Sequence, residues 1–256
     1  GPLRDWSLAI LGALEPKISD TQAQRGDKAV AEFLEYLKLL VADRRANPGN
    51  PESDVLTRLI QGERRDNGQR LSENELLHNC IFILNAGHET TTNLIGNALV
   101  ALEEWPVQKE LLIKRIAESV HDKSSLDDVL NTAVDEFLRF ESSNQLGNRR
   151  ATLDCVVGGV PLAKGTLITL CMGSANRDHA QFEHAEEMDI TPPNCKHLSF
   201  AFGIHQCAGL HLARLEGRVA LQIFLQRFPN YKLTAAPTRG GRARFRGFLN
   251  APFSIS

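Results

Sequence analysis

The residue with the most chemical potential in this chain is Cys207, at the centre of the stretch Phe200 to Gly217, F-A-F-G-I-H-Q-C-A-G-L-H-L-A-R-L-E-G. Before it lies a loop with aromatic residues and a glycine. After it the pattern predicts an amphipathic helix with Leu212, Leu215, Val219 and Ile223 along one side. A thiol at or beside a helix N-terminus meets free N–H groups and the helix dipole, which favour an anionic sulfur. Gly203 and Gly209 carry no Cβ, so backbone or a flat ligand can come close. Such a sulfur suits a large metal cofactor that brings most of its own ligands. Haem with Cys207 as axial ligand is the leading candidate. The competing reading is ordinary: most cysteines are small buried hydrophobes.

Two further groups could take part. Ala86-Gly87-His88-Glu89-Thr90-Thr91 sets a carboxylate and a hydroxyl in mid-helix, beside a glycine that lets a ligand approach. The alternative is that the threonines bond back to helix carbonyls and Glu89 is solvated. A metalloprotease H-E-x-x-H is ruled out, because Thr92 holds the last place. Glu136-Phe137-Leu138-Arg139 puts an acid and a base three apart on one helix face. On a surface that pair contributes only a fraction of about one kcal/mol. The flanking Phe137, Leu138 and Phe140 predict partial burial, where a bidentate arginine fixes geometry. Cys195, His197, His205 and Cys207 are spaced too irregularly for a zinc site.

Helices must position these groups. The spacing predicts helices over 3–14 around Trp6 and over 27–45, where Val30, Phe33, Leu37, Leu40 and Val41 recur at helical spacing. Pro48-Gly49-Asn50-Pro51 breaks the second. A short helix over 54–61 follows, then a charged surface loop over 62–70. Ser72 and Glu75 form a capping box that opens a long helix to about Glu103, striped by Leu77, Ile81, Leu84, Thr91, Ile95 and Leu102. Trp105-Pro106 ends it. Helices over 107–117 and 126–140 come next. Then Ala151 to Val157 is rich in β-formers, Gly158-Gly159 signals a hairpin turn, Val160 to Leu162 pairs back, and Leu167 to Cys171 is another strand. A polar irregular loop over 175–197 has the length of one that wraps something. The expected fold class is mainly α with a small β portion.

The length of 256 residues allows one large domain. Lys plus Arg count 29 against Asp plus Glu 31, a balance that argues against nucleic acid or an anionic membrane as the main partner. Five cysteines without a C-x-x-C pair give no disulfide framework and fit a reduced cytoplasmic setting. The most apolar long segment, 76–102, is interrupted by His78, Asn85, His88, Glu89 and Asn93, which argues against a membrane span. No signal peptide is evident. Cys80, Cys155 and Cys171 are expected in the core. His179, His184 and His211 are expected on the surface, and Arg242, Arg244 and Arg246 on a solvated strand face.

The pattern F-x-x-G-x-H-x-C-x-G, met by Phe200, Gly203, His205, Cys207 and Gly209, resembles the haem-binding loop of the cytochrome P450 family. Ala86 to Thr91 resembles that family's oxygen-activating helix, and Glu136 with Arg139 its E-x-x-R ion pair. The three occur in the family's order. The resemblance implies heme b with its iron ligated by Cys207, and cofactor contacts from Ala86, Gly87, Phe200, Gly203 and Gly209. It implies propionate binding by Arg149 and His205, and a proton relay in which Glu89 feeds Thr90. Ala175-Asn176-Arg177-Asp178 fits the family's run ahead of the wrapping loop. Departures are Ala201 for a usual Gly, Ser143 for Pro, Met188 for Phe and Pro192 for Arg. Phe248 and Leu249 align with a family turn that projects into the substrate pocket. Phe82, Leu146 and Leu249, with Asn85 as a polar handle, imply a largely hydrophobic substrate. The implied function is a soluble bacterial-type monooxygenase that hydroxylates a small hydrophobic molecule with O2 and electrons from a ferredoxin or flavodoxin. The resemblance covers only the later part of such a protein, so residues 1–256 read as one N-terminally truncated haem-thiolate domain. The alternative is a catalytically inactive remnant that binds haem weakly or not at all.

Overall fold

The computed structural model describes residues 2–62, 71–192 and 195–255, and divides into two compact units, 1–89 and 90–256. The first holds α1 (Pro2–Gly12), α2 (Asp20–Ala46), α3 (Val55–Gln61) and the opening of α4 (Glu73–Glu104). Helix α2 begins a full two turns before the apolar periodicity predicts. The cause is local: Ser19 Oγ accepts the Gln22 N–H at 3.2 Å, and Gln22 Oε1 accepts the Ser19 N–H at 2.9 Å. This capping box satisfies donors that a helix start otherwise leaves open. Asp54 caps α3 through the Leu56 and Thr57 amides. Of the expected loop over 62–70, residues 63–70 lie outside the described residues. The Ser72–Glu75 box opens α4 as its sequence implies, with Ser72 N–H to Glu75 Oε2 at 2.8 Å and Glu75 N–H to Ser72 Oγ at 3.3 Å. Phe33, Leu37 and Val41 of α2 and Leu76, Leu77 and Ile81 of α4 form the core of this unit, with Trp6 stacked on Phe33.

The second unit contains the remainder of α4, then α5 (Pro106–Ser119) and α6 (Lys123–Phe140). Pro106 opens α5, where a missing N–H costs nothing. Asp122 caps α6 through the Ser124 and Ser125 amides. Four small antiparallel pairs follow. Strand β1 (Leu146–Arg150) pairs with β4 (Leu167–Cys171), and β2 (Cys155–Val157) with β3 (Val160–Leu162). The hairpin turns at Gly158 and Gly159, both at positive φ. Strand β1 falls where no strand is expected, and Ala151 to Asp154 are not strand. L-G-N-R-R has little β-propensity, and the ladder with β4 supplies what the local sequence lacks. After α7 (Met172–Ala175) the described residues are irregular as far as a single-turn 3₁₀ segment at Gly203–His205, and the chain then enters α8 (Leu210–Arg227). The tail forms β5 (Lys232–Leu233), β6 (Thr238–Arg239), β7 (Phe248–Asn250) and β8 (Phe253–Ser254), paired β5 with β8 and β6 with β7.

The core of this unit joins Leu94, Ala98 and Leu102 of α4, Leu112 and Ile116 of α5, Leu130, Val134 and Phe137 of α6, and Leu221 and Leu225 of α8. Each Leu, Ile, Val or Phe among them contributes about 1.5–3 kcal/mol on full burial. Gly217 is the contact point of α8: a Cβ there would stand 3.1 Å from Leu94 Cδ2 and 3.5 Å from Val134. The buried side of α8 is therefore Gly217, Leu221 and Leu225. The stripe Leu212, Leu215, Val219 and Ile223 is the other side, and every one of its members is exposed. This helix is apolar on two faces, and periodicity alone does not say which of them is covered.

The arginine-rich tail is not a solvated strand face. Arg242, Arg244 and Arg246 lie between β6 and β7. The backbone of this segment zips onto the end of α6's connection, with the Gln145 amide on Arg244 O and the Arg246 amide on Ser143 O. Arg246 and Arg239 both pair with Glu141, at 3.3 and 3.2 Å. Phe248 and Leu249 are strand residues rather than a turn, with Leu249 exposed. Cys171 is exposed instead of core, because both faces of the two-stranded β1–β4 ladder are open at its end. Cys80 and Cys155 are partly buried, and His179, His184 and His211 are exposed as expected. Among the described residues no helix is long and apolar enough to cross a membrane.

Candidate haem-thiolate site

The Cys207 loop is a closed turn of chain. The Cys207 amide donates to the Phe200 carbonyl at 2.9 Å, and the Gln206 amide to Gly203 O at 3.0 Å. Gly203 sits at φ +73°, a region open to glycine at little cost. Ala201 sits at φ +56°, which costs a residue with a Cβ about 1–2 kcal/mol. The loop is thus built for glycine at both positions, and alanine occupies one under strain. Gly209 caps α8, and Cys207 lies two residues before it.

Phe200, Gly203, His205, Cys207 and Gly209 are brought together here, and all but Phe200 are exposed. Beside the exposed thiol, Ile204 is 97% exposed and Phe202 80%. A Cβ on Gly203 would touch nothing within 4 Å, and one on Gly209 only the Cys207 sulfur, at 3.9 Å. An open sulfur flanked by bare apolar side chains and uncluttered backbone fits a broad, flat, largely apolar group with a metal at its centre. Arg149 stands on β1 opposite Ile168, with a guanidinium N–H on the Asn148 carbonyl at 2.8 Å. Among the described residues no cluster of three or more His, Cys, Asp or Glu side chains could hold a metal ion by itself.

Ala86, Gly87, Glu89 and Thr90 lie on α4, which passes through them without a break. Ala86 and Gly87 are exposed, and a Cβ on Gly87 would meet nothing within 4 Å. Glu89 closes the first unit and Thr90 opens the second; each is partly buried. In the first unit Phe82 is exposed, while Asn85 is buried and turns its amide back to the Ile81 carbonyl at 2.8 Å. Leu146 in the second unit is partly buried.

Behind the Cys loop the chain is tied down tightly. Glu136 and Arg139 are each 5% exposed and bidentate, with Nε to Oε2 and Nη2 to Oε1 both at 2.7 Å. The guanidinium also donates to the carbonyls of Asn176, Ala185 and Glu187, at 3.1, 2.8 and 2.6 Å. Glu136 in turn takes the Asp189 amide at 2.8 Å. One ion pair therefore ties down the segment between Asn176 and Asp189. Burial pushes the Arg139 pKa down, but the Glu136 hydrogen bonds and charge outweigh it and the net direction is up. Met188, standing where the family usually has Phe, is 1% exposed in the core beside Ile190.

Several side chains that sequence reasoning left unassigned complete this region. Asn176 is fully buried; its amide reaches Ser142 and Ser199 hydroxyls at 2.7 and 2.8 Å, and its oxygen takes the Leu198 amide at 2.7 Å. Asp135, next to Glu136, accepts from Arg214 Nε at 2.7 Å and from His197 Nε2 at 3.3 Å. Burial raises the Asp135 pKa, the two donors lower it, and the net direction is down. Burial pushes the Cys195 thiol up to about 12, so it stays protonated. Adjacency to the E-x-x-R acid was the one available signal for Asp135. His197 had none.

Comparisons with known proteins show the family. The Cytochrome P450 family model matches residues 11–239, and the chain belongs to that family. It is 38% identical over 235 residues to Cytochrome P450 107B1 of Saccharopolyspora erythraea, covering 91% of this chain and 52% of that protein. It is 36% identical over 242 residues to the polyketide biosynthesis cytochrome P450 PksS of Bacillus subtilis, covering 93% and 56%. Among solved structures, P450BioI in complex with hexadec-9Z-enoic acid ligated acyl carrier protein superposes with a TM-score of 0.88 at 31% identity, covering 99% of this chain and 61% of that one. Mycobacterium smegmatis CYP164A2 gives 0.86 at 30% identity, covering 99% and 62%. The chain spans about half the length of the curated relatives it matches.

Proposed function

We propose that this chain is the thiolate-bearing portion of a haem monooxygenase that hydroxylates a small hydrophobic molecule, using dioxygen and electrons from a ferredoxin- or flavodoxin-type donor. The observation that carries this reading is the Cys207 loop, an exposed thiol in a backbone frame with an open apolar surround. Cys207 would ligate the iron of heme b. Arg149 and His205 would take the two propionates, as charged or polar donors suit carboxylates. Phe200, Gly203 and Gly209, with Ala86 and Gly87 on α4, would lie against the macrocycle. Bound haem with a thiolate ligand supplies reductive activation of dioxygen.

The chain's own contribution is to position groups and move protons. The Thr90 hydroxyl both donates and accepts, so it can hold a proton at the reacting oxygen. The Glu89 carboxylate, partly exposed, can take protons from solvent and pass them on. Within the second unit, Leu146 and Leu249 would offer apolar surface to substrate; in the first unit Phe82 is exposed, whereas Asn85 is buried with its amide on the Ile81 carbonyl. A hydrophobic substrate is supported by relatives named for polyketide biosynthesis and for a fatty-acyl carrier complex. The E-x-x-R pair, through the Asp189 amide on Glu136 and the carbonyls on Arg139, fixes the chain that runs toward the loop.

The bare apolar side of α8 favours a second reading for the chain by itself, that of a P450-derived remnant that binds haem weakly. Titrating the full chain with haem and recording the reduced, carbon monoxide-bound spectrum separates the two. The monooxygenase reading expects a red-shifted thiolate-type Soret band that Cys207→Ala abolishes. Absence of haem uptake, or an identical histidine-type band in both proteins, selects the remnant.

A further inference from the structure

We infer that Asp135 is a positioning residue for the thiolate ligand: with His197 and Arg214 it braces both ends of the Cys207 loop. The inference rests on the haem-thiolate reading for its purpose, though not for its geometry. Asp135 Oδ1 receives Arg214 Nε at 2.7 Å and His197 Nε2 at 3.3 Å. His197 lies at the entry to the loop and Arg214 in the first turns of α8, beyond its exit. One carboxylate on α6 therefore ties together residues that flank the whole loop, which removes freedom at both ends.

The tautomer of His197 is set by its surroundings. Its side chain is 2% exposed, and Nδ1 accepts the Ser199 amide at 3.2 Å, which leaves the ring proton on Nε2, facing Asp135. The two partners of Asp135 then converge on one ring. The Arg214 guanidinium carbon stands 4.8 Å from the centre of Phe200, and the His197 ring centre 5.7 Å from it. Phe200 is the residue whose carbonyl takes the Cys207 amide at 2.9 Å. The path is continuous: carboxylate, two oriented cation-or-donor planes, the aromatic ring they pin, its carbonyl, and the amide of the ligand residue. The role favours a carboxylate, since only a charged oxygen both accepts the two donors and pairs the Arg214 guanidinium as an ion.

The test uses the full chain with Asp135→Asn, Arg214→Lys and a control, Arg218→Gln. Arg218 pairs with Asp127 at 3.2 Å between the same two helices, α6 and α8. The readout is hydrogen exchange at the Cys207 amide without haem, followed by the thiolate-band fraction after haem loading. Asp135→Asn and Arg214→Lys are expected to speed Cys207 exchange about tenfold, the effect of losing one charge-assisted bond. Arg218→Gln is expected to leave it unchanged. Unchanged exchange in a folded Asp135→Asn protein, or equal acceleration in Arg218→Gln, overturns the inference. If Asp135→Asn does not fold, Arg214→Lys decides in the same way, because it keeps the charge and loses the planar stack. Failure of the wild type to take up haem sinks the functional reading, while the exchange comparison still decides the brace.

Discussion

Two faces of the second unit meet near the Cys207 loop and could hardly differ more. On the α6 side, Glu136, Arg139, Asn176, Ser142 and Ser199 are buried or half-buried, and their polar atoms are matched one to another and to backbone. On the α8 side, Leu212, Leu215, Val219 and Ile223 stand exposed, with Phe202 and Ile204 barer still. The first face is finished by residues within this chain. The second has the composition of an interior and the exposure of a surface. The chain spans about half the length of its curated relatives. The scaffold behind the sulfur is therefore closed by its own side chains, whereas the surface around the sulfur is bare.

The largest expected effect tests the finished face. Arg139→Leu leaves Glu136 buried without its partner and frees three carbonyls, so it should cost about 3–5 kcal/mol. Urea denaturation followed by circular dichroism measures this, and a loss below about 1 kcal/mol would erase the contrast. Next comes a matched pair on α8 itself. Leu221→Ala, on the covered side, should cost about 2–5 kcal/mol, whereas Leu215→Ala should change stability by no more than about 0.5 kcal/mol. Equal costs in the same assay would mean that both faces are packed in solution, for instance by self-association, which light scattering would then reveal.

A smaller effect sharpens the view of the loop. Ala201→Gly relieves a left-handed alanine but adds freedom to the unfolded chain, leaving a net stabilisation of up to about 1 kcal/mol, read as a rise in thermal midpoint. The smallest effect concerns acid. The Asp135 carboxyl sits below its ordinary 3.8, so its contribution is present in full above that value and is lost as pH falls through the lower, folded one. Acid unfolding curves of wild type and Asp135→Asn should accordingly converge at low pH and separate above pH 4. Parallel curves throughout would show that the carboxylate gains nothing from its two donors in the folded state.

Local chemistry was legible in the residues themselves. Ser72 with Glu75 starts α4 and Gly158-Gly159 turns a hairpin, because each acts on backbone a few residues away. The ordered trio of Cys loop, acid–alcohol helix and E-x-x-R pair was equally legible, since its chemistry fixes residue types at short spacings. Four matters were decided only by tertiary structure. Strand β1 exists because β4 is beside it. The buried side of α8 is set by Leu94 and Val134 against Gly217, not by any preference of a helix that is apolar on both faces. Ala201 takes a positive φ because the closed loop imposes it. Asp135, His197 and Arg214 meet across 62 and 79 residues of chain. A sequence states what each residue can do with its neighbours along the chain. Which distant groups share one oxygen, and which apolar face is covered, follow from how the helices pack.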